Sequence, residues 1–264
     1  MGQQGGMSIV FIGDIHRDWR PITLGLDRLD ELPKAAVLMG DIECTAPLDE
    51  LARPLLDRGI AVHWISGNHD NDGGREMWDN LCDPARNPMT SGGALHGRVL
   101  DIAGVRVAGL SGIFRPRVWD GRRAPSLLRR ADLPADLAKL GPSLRAEHVA
   151  ALTHSLSTIA IWHEDVEAMA AMRADVLVVH DAPCSHRDGH AVLTDLARRM
   201  GARVVLHGHH HVSYVADNEA GDLRAIGIGA SWGLDLDGRV LWRGEPPRIL
   251  GPQSADWRLL VEHL

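Results

Sequence analysis

The chain has 264 residues and a mass of 28.8 kDa, room for one large domain or two small ones, so size alone calls for no disulfide staples. Its 28 Lys and Arg against 35 Asp and Glu give a formal net charge of −7, which argues against a nonspecific nucleic-acid or membrane binder. Hydrophobic residues at 45% and charged residues at 24% argue against long disorder, while 15 histidines beside only two lysines, Lys34 and Lys139, ask for an explanation.

Met1–Gly6 lacks the basic and apolar regions of a signal peptide and reads as a flexible leader, with Met7 an alternative start. No apolar run approaches the ~20 residues of a membrane span. Cys44, Cys82 and Cys184 are far apart and form no Cys-x-x-Cys, so reduced, structural thiols in a soluble cytoplasmic chain are expected.

Five short apolar runs each end on polar residues. Ser8–Ile12 stops at Gly13-Asp14, Ala35–Met39 at Gly40-Asp41, Ile60–Ile65 before Gly67-Asn68-His69-Asp70, Asp175–Val179 at His180, and Arg203–Leu206 before Gly208-His209. They read as buried strands feeding loops. Helical spacing occupies Ile22–Leu32, Leu48–Arg58, a long stretch from about Leu144 to Met172, and Ala191–Met200. Strands alternating with helices predict an α/β domain whose strand C-termini converge on one edge. Arg98–Ile102 and Val105–Leu110 flank Ala103-Gly104 as a hairpin, and Leu223–Ile228, Val240–Trp242 and Trp257–Val261 are strand-like, which points to a second sheet. Residues 114–142, rich in Arg and Pro with little periodicity, read as an insertion or lid on a single domain spanning 1–264.

Each of the five strand ends delivers side chains able to hold a metal: Asp14 and His16, Asp41, Asn68-His69-Asp70, His180, then His209 and His211. Carboxylate, amide and imidazole donors without thiolate suit Mn, Fe, Zn, Ni or Co. On an extended segment, Asp-x-His and His-x-His spacing lets both members of a pair face one site.

Asp14-Ile-His16, Gly40-Asp41, Gly67-Asn68-His69-Asp70, His180 and Gly208-His209-His210-His211 resemble, in order, the signature of the calcineurin-like metallophosphoesterases. The resemblance runs from residue 8 to about 216 and implies a four-layer αββα fold, two packed sheets flanked by helices, with two divalent ions. It implies one ion on Asp14, His16 and His211, another on Asn68, His180 and His209, and Asp41 bridging both. His69 resembles the family's non-ligand histidine, able to protonate the departing oxygen, and Asp70 is expected to orient its imidazole. Two ions ~3.5–4 Å apart can share a hydroxide of lowered pKa and clamp phosphoryl oxygens during in-line attack. Against Asp14, Asp41 and that hydroxide, the ions leave a charge of about +1, suited to a phosphate ester.

A narrower stretch, Gly104 to Arg115 followed by Trp119, is similar to RNA lariat debranching enzymes of the same superfamily, although those commonly carry Cys where this chain has Asp14. Beyond it, residues 115–130 hold six arginines against the single acid Asp120. Arg115 and Arg117 are expected to grip a substrate phosphate, with Trp119 offering a surface for a base. Among the other histidines, His63, His148, His154 and His163 fit surface or packing roles, His186 and His190 fit a solvated loop, and His207 and His210 flank ligands. The expected activity is hydrolysis of a small or nucleotide-like phosphomonoester or phosphodiester. The alternatives are a nuclease or RNA-branch phosphodiesterase, and a non-catalytic scaffold on the same fold.

Overall fold

Residues 8–140, 145–246, 248–249 and 256–262 are described by a computed structural model, in which the five apolar runs all become strands. The leader Met1–Gly6, Met7, Pro142 at the end of the insertion and Leu144 lie outside the described residues. In chain order the strands are β1 (Ile9–Ile12), β2 (Ala35–Leu38), β3 (Ala61–Trp64), β4 (Arg98–Ile102), β5 (Val105–Leu110), β6 (Val176–Val179), β7 (Val204–His207), β8 (Tyr214–Asn218), β9 (Arg224–Gly227), β10 (Gly233–Leu234), β11 (Val240–Trp242) and β12 (Trp257–Glu262). The helices are α1 (Arg20–Leu26), α2 (Leu48–Leu51), α3 (Arg53–Leu56), α4 (Gly74–Cys82), α5 (Leu133–Ala138), α6 (Ala146–Ile159), α7 (His163–Ala170) and α8 (Ala191–Met200).

Two sheets form, in the orders β11-β10-β1-β2-β3 and β12-β8-β9-β7-β6-β5-β4. Alternation along each strand divides its side chains between two cores. Ile9 and Phe11 of β1, Val37 of β2, and Val176 and Val178 of β6 meet between the sheets. Val10, Ile12 and Leu38 face the helices over the first sheet, and Leu177 and Val179 face those over the second. Each such side chain, fully buried, contributes roughly 1.5–3 kcal/mol. The result is the four-layer αββα arrangement, two sheets flanked by helices.

Parallel pairing sets the register that matters for the site. Ile12 lies opposite Leu38, and Leu38 opposite Trp64. In the other sheet Leu110 lies opposite Val179, and Val179 opposite His207. The C-terminal ends of β1, β2, β3, β6 and β7 therefore stop level within each sheet, and the loops that follow face one another across the sandwich.

Several elements depart from the periodicity. The stretch read as one helix from 144 to 172 breaks into α6 and α7, because Ile113 and Ile161 exchange backbone bonds: Ile113 N–H donates to Ile159 O and Ile161 N–H to Ile113 O, both at 2.9 Å. The helix read over 48–58 divides at Ala52, where Pro54 in the first turn of α3 has no N–H to continue the ladder. The first helix ends at Leu26 rather than Leu32. The chain also contains β8, α4 and α5, which the pattern did not announce. The hairpin is present, its turn residues Ala103 and Gly104 both at positive φ, 50° and 86°, as a two-residue turn of matching twist requires. The described part of the Arg/Pro-rich stretch packs into the fold, since Phe114, Val118, Trp119, Leu133 and Leu137 are buried in the core beside the second sheet.

Candidate metal centre

The loops after β1, β2 and β7 are held in unusual backbone conformations. His16, Arg17, Asp41, Glu43, His209 and His211 all have φ between 46° and 68°. Left-handed non-glycine residues cost of order 1–3 kcal/mol each and persist only where their surroundings fix them. The loops fix one another through the backbone: Ile15 and His16 N–H donate to Asp41 O at 3.1 and 2.8 Å, and Ser231 N–H donates to Asp14 O at 2.9 Å. Close approach adds a second requirement. A Cβ at Gly67 would collide with Asp41 Oδ1 and His180, and one at Gly208 would collide with Asp14 Oδ1.

Asp14, His16 and His211 bring one donor atom each to within 4.8 Å of the others. His211 Nε2 lies 3.1 Å from Asp14 Oδ2 and 3.0 Å from His16 Nε2. His16 Nδ1 is 2.7 Å from Glu43 Oε1, and Glu43 Oε2 in turn pairs with Arg17 at 2.6 Å. The carboxylate thus accepts a hydrogen bond from Nδ1–H and leaves the Nε2 lone pair for a cation, an outer partner that fixes tautomer and ring orientation.

Asp41, His180 and His209 form the second group under the same criterion. His180 Nδ1–H donates to Met39 O at 2.8 Å, so Nε2 is left to face Asp41 Oδ2 at 3.2 Å. The groups adjoin: His180 Nδ1 is 3.8 Å from Asp14 Oδ1, and His209 N–H donates to Asp14 Oδ2 at 2.8 Å. Burial would raise the Asp41 carboxyl, but His180 and the His69 N–H hold it well below the usual range. Burial opposes a charge on His180 too, yet Asp41 and Asp14 push it up to about 10. For His209, burial and then His180 lower the imidazole. Asn68 is buried between Gly67, which packs against Asp41 and His180, and His69, whose backbone N–H donates to Asp41 Oδ1. Asn68 Oδ1, with Asp14 Oδ1 and His180 Nε2, is shielded from solvent without a hydrogen-bond partner. Buried polar atoms left unpaired are costly, and oxygen and imidazole donors converging in this way fit divalent cations.

The turn after Asn68 corrects one expectation. His69 Nδ1 lies 2.6 Å from Asp72 Oδ2, so Asp72, not Asp70, orients the imidazole. Asp70 is fully buried and accepts the N–H groups of Ile42, Glu43 and Gly67, each at 2.7 Å, tying the second and third loops together. Burial and then the Asp41 charge raise its carboxyl to about 6. His69 remains 45% exposed in its side chain. Burial, the largest single effect, opposes a charge on it, but the hydrogen bond that Nδ1–H donates to Asp72 and the charges of Asp41, Asp72 and Glu43 together raise its pKa.

The arginine-rich segment also differs. Trp119 is 5% exposed, donates its indole N–H to Arg123 O at 2.7 Å and packs edge-on to Phe114, so it offers no open face to a base. Arg117 lies 3.1 Å from Asp136, Arg115 pairs with Trp119 in a tight turn, and Arg130 makes a bidentate bond to Asp165 at 2.7 Å. His186 and His190 are buried rather than solvated. His186 stacks on His210 with centroids 3.9 Å apart, and His207 is held by Gly208 O and by Tyr214 OH at 2.7 Å. Burial, then His186, lowers His207 to about 3. Asp181 gathers with His209 and His210 into a third group that shares His209. Glu43, Asp72 and Asp181 carry no local signal, since each meets its histidine only through folded loops.

Residues 7–213 match the family model of the calcineurin-like phosphoesterases. An uncharacterized protein of Haemophilus influenzae is 32% identical over 210 residues, 78% of this chain and 84% of that protein. The solved structure of TT1561 from Thermus thermophilus superposes with a TM-score of 0.52 at 15% identity, covering 89% of this chain and 96% of the other, a likeness of fold. The chain belongs to the calcineurin-like phosphoesterase family and is a metal-dependent phosphoester hydrolase. Among the described residues, no helix is long and apolar enough to cross a membrane.

Proposed function

We propose that the chain hydrolyses a small phosphomonoester or phosphodiester of nucleotide type with two divalent cations. Asp14, His16 and His211 would hold one, Asn68, His180 and His209 the other, and Asp41 would serve both. The observation that carries this reading is the pair of adjoining donor groups, in which Asp14 Oδ1 and His180 Nε2 are buried and make no hydrogen bond. Bound there, the cations supply a water of lowered pKa and positive charge for the phosphoryl oxygens. His69 protonates the leaving oxygen from Nε2 while Asp72 keeps Nδ1 engaged. Glu43 and Met39 O fix the rings of His16 and His180 so that neither has to reorient as charge develops. The burial of Trp119 removes the stacking surface expected at that residue, one support of the nuclease alternative.

The test is hydrolysis of para-nitrophenyl phosphate and its bis ester with Mn²⁺, together with metal content by elemental analysis. We expect about two ions per chain, and activity abolished in Asp41→Asn and His69→Ala. One ion per chain, or turnover that survives Asp41→Asn, would overturn the reading.

A further inference from the structure

β12 closes one edge of the seven-stranded sheet. It pairs antiparallel with β8 on one side, and among the described residues no strand lies on the other. Such an edge presents a row of unpaired N–H and C=O groups to any chain that aligns with it. The middle of the strand is apolar and lies outside the core, with Leu259, Leu260 and Val261 at 37, 40 and 43% exposure. The other large apolar side chains exposed among the described residues, Met89 and Leu128 for example, stand singly along the chain. Scattered exposed apolar residues are ordinary, whereas three in a row on a sheet edge mark a surface that pairs. A bulge at Leu260, between the pairs Leu259–Ala216 and Val261–Val215, is a device that blunts many edges. Here the extra residue is itself apolar, and no charge or proline interrupts residues 259–261.

The flanking charges identify what fits. Arg258 lies opposite Asp217 of β8, but that carboxylate is engaged by Arg224 at 2.8 and 3.1 Å, and Arg258 has no ion pair among the described residues. In sequence, Arg258-Leu259-Leu260-Val261-Glu262 is self-complementary about its centre. Laid antiparallel to a second copy of itself with Leu260 opposite Leu260, it brings each Leu259 opposite a Val261 and each Arg258 opposite a Glu262. Apolar and opposite-charge pairs directly across an antiparallel ladder stabilise it, and like charges in those positions oppose it. A parallel pairing in the same register would set Arg258 against Arg258 and Glu262 against Glu262.

We propose that β12 is a dimerisation strand whose partner is a second copy of this chain, the two sheets joining edge to edge through an antiparallel β12 pair with its two-fold axis at Leu260. The contact is isologous, so it closes at two subunits and leaves neither β12 edge free. Seven strands from each copy then form one sheet of fourteen. Glu262 lies opposite Tyr214, the first residue of β8, which follows His211 by three positions. The C-terminal end of β12 is therefore at the end of the sheet where the candidate metal groups gather. Antiparallel pairing sends the two centres to opposite ends of the joined sheet, so each stays open to solvent on its own side.

Analytical ultracentrifugation over a concentration series tests the assignment, with circular-dichroism melts to show that each variant is folded. The wild type should reach twice the mass of the chain. Leu260→Lys sets two ammonium groups against each other at the axis from an exposed position, and should sediment as a monomer. Arg258→Glu and Glu262→Arg should each raise the dissociation constant about tenfold, because the two-fold axis repeats every like-charge pair they create. The double variant Arg258→Glu with Glu262→Arg restores opposite charges and should return to near the wild-type value. Arg258→Glu also meets Asp217 within its own chain, so Glu262→Arg, opposite Tyr214, carries the single-variant test if the former melts early. A wild type that stays monomeric throughout, a Leu260→Lys protein that still dimerises, or a folded double variant that associates no better than Glu262→Arg alone overturns the proposal.

Discussion

Gly67→Ala adds one methyl group where a loop of the first sheet packs against His180 of the second. The new Cβ would stand 2.5 Å from Nε2 and Cε1 of His180, where ordinary contact begins at 3.4 Å, and would also overlap Asp41 Oδ1. The imidazole must retreat by about 1 Å, the scale on which misplacement costs about 10²-fold in rate. It cannot do so without lengthening the 2.8 Å bond from its Nδ1–H to Met39 O. Overpacking of this kind costs about 1–3 kcal/mol and the strained hydrogen bond about 1 more, so stability should fall by about 2–4 kcal/mol. In a chain of this size that lowers Tm by roughly 5–12 °C. Gly92→Ala is the matched control, because its Cβ meets nothing within 4 Å and its φ is not positive, and it should melt within about 0.5 kcal/mol of wild type. Thermal melts by circular dichroism, with metal content and para-nitrophenyl phosphate turnover on the same samples, check the pair. A Gly67→Ala protein with wild-type melting and full turnover would refute the argument that these loops are packed to contact.

Glu43→Gln should weaken metal retention about 10–100-fold, read by titration against a chelator, because the partner of His16 Nδ1 loses its charge while the ligands themselves are untouched. Asp72→Ala should leave denaturant stability within about 0.5 kcal/mol, as expected for a side chain 56% exposed, and lower turnover. Asp70→Ala should instead be felt mainly in stability, since three buried N–H groups lose their acceptor, and equal melts for the two variants would contradict these assignments. Burial holds His63 and His96 below the ordinary imidazole value, so below about pH 6.5 the unfolded chain binds protons that the native chain does not. Their contribution to stability should be full above that pH and decline as the pH drops, opposite in sign to that of Asp70, and urea-melt profiles between pH 7 and pH 5 that keep the same slope when His63 and His96 are replaced by Gln would show that these rings are not held neutral.

The strand ends were legible because the signal is local: a short apolar run followed within three residues, usually across a Gly, by Asp, Asn or His. His16 and His211 come together although 195 residues apart, and each could be recognised by its own strand. Their outer partners could not. Glu43 reaches His16 through a loop that turns at Glu43 itself, with φ at 56°, and nothing in the surrounding residues distinguishes it from the other acids. Asp72 displaced the neighbouring Asp70 as the partner of His69 because a 3-10 turn over His69–Asn71 brings the residue three positions on beneath the ring. The break between α6 and α7 has a similar origin. Ala160, Ile161 and Trp162 extend the apolar periodicity, and only the backbone pairing with Ile113 opens the helix there. Around Trp119 the abundant arginines and prolines concealed a second pattern, the buried Val118, Trp119, Leu133 and Leu137, which decides how the segment packs.

The left-handed residues of the centre put stability and turnover in opposition. At His16, Asp41, His209 and His211 the backbone conformation favours glycine, while the chemistry demands a donor side chain. Glycine at any of these positions would relax the loop and remove a proposed ligand in the same step. A library selected for resistance to heat in the presence of a chelator would therefore enrich variants that have lost catalysis. Selection on turnover would keep the chain on the strained side of that exchange.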